Sequence, residues 1–172
     1  KIDLGGEAPY ATAKPTAHVR RMTKIAGVKP NDLVLDFFAG SGTTGVACLN
    51  ESLANFILVQ LPETFDDSKP HGKAAHKLGI STISELARRR LKAATSRLDR
   101  EPGAGGFRAL KIDTSNMADV YYTPDAASQG DLLSTIDNIK SDRAPEDLLF
   151  QVMLDWGVDL ALPIEKKVIQ GK

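Results

Sequence analysis

The stretch that most constrains this chain runs from Leu33 to Gly45, where a short apolar run enters a glycine turn and leaves it as a helix-compatible segment. Leu33-Val34-Leu35-Asp36-Phe37 has the pattern of a strand buried on both faces, as in a parallel sheet. Ala39-Gly40-Ser41-Gly42 follows as a tight turn, and Thr43 to Leu49 reads as a helix. Phe56-Ile57-Leu58-Val59 supplies a second buried strand that Leu61-Pro62 ends. Strand, turn, helix and strand in this order make one βαβ unit. Glycines at 40 and 42 let the backbone turn sharply and approach a ligand without a Cβ in the way. The first amides of the helix and the positive end of its dipole favour an anionic group there. The turn lies at the C-terminal edge of a strand, where open α/β sheets bind ligands.

Three ligand readings of this turn compete. Gly40, Gly42 and Gly45 satisfy the G-x-G-x-x-G dinucleotide pattern, yet about twenty residues on, where that site wants an acid for the ribose, the chain has Gln60. A P-loop needs Lys after the glycines, and none follows. The third reading is an S-adenosylmethionine site, with Asp36 ending the first strand and the turn holding the methionine end. A glycine turn with no ligand at all is the plain alternative.

Elsewhere the pattern is coarser. A helix is expected from Lys14-Pro15-Thr16, with Val19, Met22 and Ile25 on one stripe and Gly27 and Pro30 stopping it. Residues 62–79, with His71 and His76, read as a polar loop. Thr82-Ile83-Ser84-Glu85 is a capping box opening a helix to about Leu98, with Ile83, Leu86, Leu91 and Ala94 inward. Arg88, Arg89, Arg90 and Lys92 then face mostly outward; the arginine run is a solvated face or a phosphate contact. Gly103 to Gly106 is a turn, and Phe107 to Asp113 alternates as a third strand. Further on, Leu132, Leu133, Ile136 and Ile139, and then Leu148, Leu149, Val152, Met153 and Trp156, fall at helical spacing. The last set is either core or a docking face.

Charge and composition narrow the class. Twenty-two basic and 22 acidic residues cancel, so the chain as a whole has no field that draws it to nucleic acid or anionic lipid. The balance is uneven: residues 83–100 are basic and residues 101–172 acidic. No apolar run approaches the roughly 20 residues of a membrane span. One cysteine, Cys48, excludes an intrachain disulfide and suits the reducing cytoplasm. His18, His71 and His76 lack metal-ligand spacing, so no metal site is expected. The chain starts at Lys1 without a signal-peptide pattern and reads as the interior of something longer.

The run Asp36 to Thr44, D-F-F-A-G-S-G-T-T, resembles the cofactor-binding motif of the amino-methyltransferases of DNA. Phe56 to Glu63, F-I-L-V-Q-L-P-E, resembles the second-strand motif of one branch, the modification subunits of type III restriction–modification systems, which methylate adenine N6. Asp113 to Met117 and Pro145 to Asp159 are similar to the same subunits, so the likeness runs from about Lys14 to Ile169.

The resemblance implies a partial S-adenosylmethionine-dependent methyltransferase sheet of Rossmann-like α/β type, followed by a mainly helical tail. Residues 1–117 would form the cofactor-binding half, and residues 118–172 a helical segment open to subunit contact. It implies S-adenosylmethionine held by Lys14, Pro15, Asp36, Phe37, Phe38, Ala39, Gly40, Ser41, Gly42, Thr43, Thr44 and Gln60. Lys14-Pro15 would lie on a helix closing over the methionine part, Asp36, Phe37 and Phe38 beside the methionine and adenosine, and Thr43 and Thr44 near the carboxylate. Gln60 stands where relatives outside this branch usually carry an acid; its amide still bonds ribose hydroxyls, more weakly. Asp113 lies near the adenine or simply caps the turn at Thr114 and Ser115.

The family's acceptor run, Asp-Pro-Pro-Tyr, is missing from this sequence. Its carboxylate and backbone aim the adenine amine at the methyl group, and its ring stacks on the flipped base. Ala8-Pro9-Tyr10 has only the end of such a run, and Tyr121 to Asp125 runs the wrong way. No catalytic residue is therefore assigned, and the chain alone is expected not to methylate. Its partners would be double-stranded DNA through the full-length protein, a second modification subunit and the restriction endonuclease subunit. The rival expectation is a non-catalytic assembly module that docks one of those subunits.

Overall fold

The computed structural model describes residues 9–10, 13–51, 54–98, 106–118 and 138–168. The chain divides into two compact units, Lys1–Ala109 and Leu110–Lys172.

The first unit is built on the βαβ arrangement. Helix α1 spans Thr16–Ile25, entered through Pro15 at φ −62 and left through Ala26 and Gly27, the latter at φ 73. Strand β1 is Leu33–Asp36, α2 is Thr43–Glu51, and β2 is Asn55–Leu58. The strands pair in parallel, Leu33 opposite Asn55 through Asp36 opposite Leu58, with α2 as the crossover. Helix α3 spans Pro70–Lys77 and α4 Ile83–Thr95.

Two apolar clusters hold these elements. Val46 and Leu49 of α2 meet Leu91 and Ala94 of α4, with Phe56, Leu58, Leu98 and Phe107 packed around them. Phe65, Ala75, Ile80 and Leu86 form the second cluster, with Tyr10, Leu78 and Ile83 at its edge. Helix α4 therefore contributes to both clusters, Leu86 to one and Leu91 with Ala94 to the other. Its start carries half of the expected capping box: Thr82 Oγ1 accepts from Glu85 N (3.2 Å), whereas Glu85 Oε2 accepts from Ser81 N (3.0 Å), one residue before the N-cap.

Several expectations need correction. Residues 62–79 contain α3 rather than a continuous loop. Lys69 is extended, Pro70 occupies the first helical turn, and the residues facing inward are Gly72, Ala74 and Ala75. Such small residues leave no large-apolar periodicity to read, and Gly72 lies so close to the Asp66 carbonyl that a Cβ there would stand 2.0 Å from its oxygen. Phe107 to Asp113 is not a strand: it makes no ladder, and Ile112 is 95% exposed. Alternation alone does not make a strand without a paired neighbour.

The two strands are half-buried on one face and exposed on the other: Phe56 and Leu58 pack on the helical cluster and Val34 is half-buried, whereas Leu33, Leu35 and Ile57 are exposed. The α1 stripe is also outward: Met22 and Ile25 are exposed, and Thr23 is the buried residue, its hydroxyl donating to Arg20 O (2.9 Å).

In the second unit, helix α5 spans Pro145–Asp155, with Pro145 at its first position and Asp147 Oδ2 accepting from Ala144 N (2.7 Å). Ile139 pairs with Met117 in an isolated antiparallel bridge instead of extending a helix. The remaining positions of that expected helix, Leu132, Leu133 and Ile136, lie outside the described residues, as does the expected Gly103 turn. Of the apolar α5 set, Met153 is buried while Trp156 is 81% exposed. No helix among the described residues is long and apolar enough to cross a membrane.

Candidate functional site

The turn between β1 and α2 is closed from several directions. Asp36, the last residue of β1, uses both carboxylate oxygens on it: Oδ1 accepts from Phe38 N (3.0 Å) and Oδ2 from the Thr44 hydroxyl (2.6 Å). Ala39 N donates to Val59 O (3.1 Å), and Gly40 N donates to Gln60 Oε1 (2.7 Å). The other end of the Gln60 amide donates to Leu61 O (3.1 Å). Gln60 thus ties the first glycine of the turn to the chain leaving β2.

Gly40 and Gly42 both have positive φ, 53 and 75, where a side chain is strained. Gly45 is required for a different reason. It sits inside α2, and a Cβ there would stand 2.7 Å from Leu91 Cδ2 and 2.8 Å from Leu58 Cδ1. The third glycine therefore lets the helix lie close on the sheet, the role that position has in glycine-rich nucleotide turns.

The expected site residues divide by exposure. Ala39, Ser41, Gly42 and Thr43 are buried, and Asp36, Gly40, Thr44 and Gln60 are half-buried. Phe37 and Phe38 project outward, Phe38 at 91% exposure, as an apolar platform beside the turn. Lys14 and Pro15 are exposed on the approach to α1. The Thr44 hydroxyl already donates to Asp36, so toward a ligand it offers only lone pairs.

Two further residues reach the turn, and neither was assigned to it from sequence. Tyr10 stands against Gly40: a Cβ on that glycine would lie 3.1 Å from the tyrosine hydroxyl. The second is Arg90 of α4. Its Nη1 donates to Ser41 O (2.6 Å), to Ser41 Oγ and to Thr43 Oγ1 (3.3 Å). Burial pushes its guanidinium below the usual arginine range. The three consecutive arginines so have three fates. Arg88 is exposed, and Arg89 bonds Glu85 Oε1 and the Leu78 and Gly79 carbonyls, all at 2.7 Å. Expected on the outward face with its two neighbours, Arg90 is instead half-buried, because α4 packs that position against a turn 49 residues away.

His76 pairs with Asp67 through Nδ1 and Oδ1. Among the described residues no cluster of His, Cys, Asp or Glu is arranged to hold a metal ion. In the second unit Asp113 accepts from Thr114 N (2.8 Å), which with Lys111 and Arg143 nearby holds its carboxyl below the usual range.

Comparison with known proteins agrees with this geometry. Residues 3–67 match a family described as DNA methylase. The Mod subunit of the type III restriction-modification enzyme StyLTI of Salmonella typhimurium is 37% identical over 102 residues, 56% of this chain and 15% of that protein. The EcoPI Mod subunit of Escherichia phage P1 is 39% identical over 95 residues, 52% of this chain and 14% of that protein. The EcoP15I Mod subunit of Escherichia coli is 37% identical over 100 residues, 55% of this chain and 15% of that protein. The matched stretch spans about a seventh of the length of these relatives. A strand-ending aspartate, a glycine turn at positive φ and a third glycine under the helix all fall within residues 3–67, the stretch that is similar to the DNA methylase family.

Proposed function

We propose that the chain is the methyl-donor portion of an adenine-N6 DNA methyltransferase of a restriction–modification system, and that its glycine turn holds S-adenosylmethionine. The observation that carries this reading is the turn itself, lying inside the segment matched by the DNA methylase family. The residues present fit the cofactor. Gly40 and Gly42 permit the positive-φ turn, the N-terminus of α2 favours the methionine carboxylate, and Phe37 and Phe38 offer apolar surface to the adenosine side. S-adenosylmethionine supplies a methyl group activated on a sulfonium for attack by an amine.

The chain's own residues bind and orient. Asp36 and Gln60 fix the turn from the two strands, and Thr43 and Thr44 begin the helix beneath it. Lys14 and Pro15 would cover the methionine part from the start of α1. No Asp-Pro-Pro-Tyr run is present to aim the adenine amine. The 172 residues alone are therefore expected to bind the donor without transferring the methyl group. In this reading residues 1–117 are the cofactor half, residues 118–172 the attached helical segment, and the DNA work takes place in the cytoplasm.

Calorimetric titration of the chain with S-adenosylmethionine tests the reading. Saturable binding is expected, weakened in Phe38→Ala, whose side chain is too exposed to matter for folding, and lost in Gly42→Trp. A folded chain that binds nothing would refute it.

A second role is favoured by one observation. Leu149, Val152 and Trp156 of the second unit, spaced i, i+3 and i+7, are all exposed. We propose that this face docks a second modification subunit or the restriction subunit. Replacing Val152 and Trp156 together by serine should then abolish that association and leave cofactor affinity unchanged.

A further inference from the structure

Arg90 is an unusual residue to find under this turn. Its guanidinium is half-buried, and its three contacts are a carbonyl and two hydroxyls, all neutral. Among the described residues no carboxylate is paired with it, unlike Arg89, which has Glu85. Desolvating a cation without a counter-charge is unfavourable. Its position adds a second penalty. Ser41 and Thr43 mark the N-terminal end of α2, where the helix dipole is already positive, and cations are disfavoured there. Both penalties are relieved by one event, the arrival of an anion at the turn. Local rules broken in this way are a mark of functional sites.

We infer that Arg90 is a positioning residue for the anionic end of the ligand: its side chain pins the Ser41 carbonyl and its charge, transmitted through the turn, selects a ligand that carries a carboxylate. The inference rests on the cofactor reading above and adds to it the residue that confers preference for the amino-acid end of S-adenosylmethionine. Arg90 does not need to touch the ligand. Its bonds to Ser41 and Thr43 fix the peptide groups that do, and a unit charge several ångströms away in a partly desolvated site still contributes on the kcal/mol scale.

The test compares two probes, S-adenosylmethionine and its decarboxylated form, which keeps the sulfonium, the amine and the adenosine. Affinities of both are measured by calorimetry for the wild-type chain, Arg90→Lys and Arg90→Gln. The wild type should prefer the carboxylate-bearing probe. Arg90→Gln keeps a donor for Ser41 but no charge, and should lose about tenfold in affinity for S-adenosylmethionine with the decarboxylated probe changed by less than about twofold. Arg90→Lys, which keeps the charge, should retain the preference within about threefold. Equal losses for both probes would mean that Arg90 only props the turn, and would overturn the inference, as would a wild type indifferent to the carboxylate. If Arg90→Gln does not fold, an Arg90→Lys chain that has lost the preference overturns it equally. A wild type that binds neither probe overturns the cofactor reading itself, a result distinct from the others.

Discussion

Gly45→Ala separates two physical effects that oppose each other at a single atom. Within a helix, alanine is favoured over glycine by about 1 kcal/mol, so propensity alone predicts a more stable chain. The structure predicts the reverse. The added methyl would stand 2.7 Å from Leu91 Cδ2, 2.8 Å from Leu58 Cδ1 and 3.2 Å from Phe56 Cε2. Leu91 is 5% exposed and belongs to the cluster with Val46, Leu49 and Ala94, so it has little room to withdraw. Overpacking of a filled core costs about 1–3 kcal/mol, and two contacts this short place the cost in the upper part of that range. The net expectation is destabilisation by about 1–2 kcal/mol. In urea unfolding followed by far-UV circular dichroism, that is a fall in midpoint of about 0.5–1 M with the slope unchanged. Gly27→Ala is the control. Nothing lies within 4 Å of its added Cβ, so its cost is only that of a side chain at φ 73, about 1–2 kcal/mol. A Gly45→Ala midpoint at or above wild type would refute the argument, because the sign, and not only the size, depends on the contact with Leu91 and Leu58.

Three other outcomes are expected. Thr44→Val, which removes the hydroxyl bonded to Asp36 without changing shape, should destabilise the chain by about 1–2 kcal/mol in the same urea assay. The bonds from Ser81 N and Arg89 hold the Glu85 carboxyl below its usual range, so its contribution is present above that range and lost as pH falls through the lowered value; Glu85→Gln should flatten the acid limb of a melting-temperature profile. Cys48 is 1% exposed and burial pushes its thiol up, so an aromatic disulfide reagent at pH 8 should label it only once urea unfolds the chain, and rapid native labelling would show that the inner face of α2 is open.

Much of the first unit was legible because its signals are local. Leu33 to Gly45 encodes strand, turn and helix in consecutive residues, and Thr82 with Glu85 marks the start of α4 by the chemistry of its own amides. What was illegible depended on neighbours distant in sequence. Phe107 to Asp113 alternates correctly, but a strand is defined by its partner, and among the described residues none pairs with it. Helix α3 is held by Gly72, Ala74 and Ala75, whose smallness is informative only once the Asp66 backbone against them is seen. The resemblance implied a ribose role for Gln60 but not its bond to the turn, where its side-chain carbonyl accepts from Gly40 N. Arg90 could not be distinguished from Arg88 and Arg89 by any pattern in the run, since only the packing of α4 under α2 decides which of the three meets the turn.

The way the turn is fastened has a consequence for how the site comes into being. Its backbone is bonded to residues that arrive only after the crossover: Ala39 to Val59, Gly40 to Gln60, and Val59 back to Asp36 at 2.9 Å. A peptide spanning Asp36 to Gly45 would carry every glycine of the motif and still lack the cradle. Sheet pairing and formation of the turn are one cooperative event, so under the proposed function donor affinity would be thermodynamically linked to β2. A bound donor should therefore slow hydrogen exchange at Val59 as much as at the turn itself, while weakening β2 from its far side should lower affinity without any change at a contacting residue.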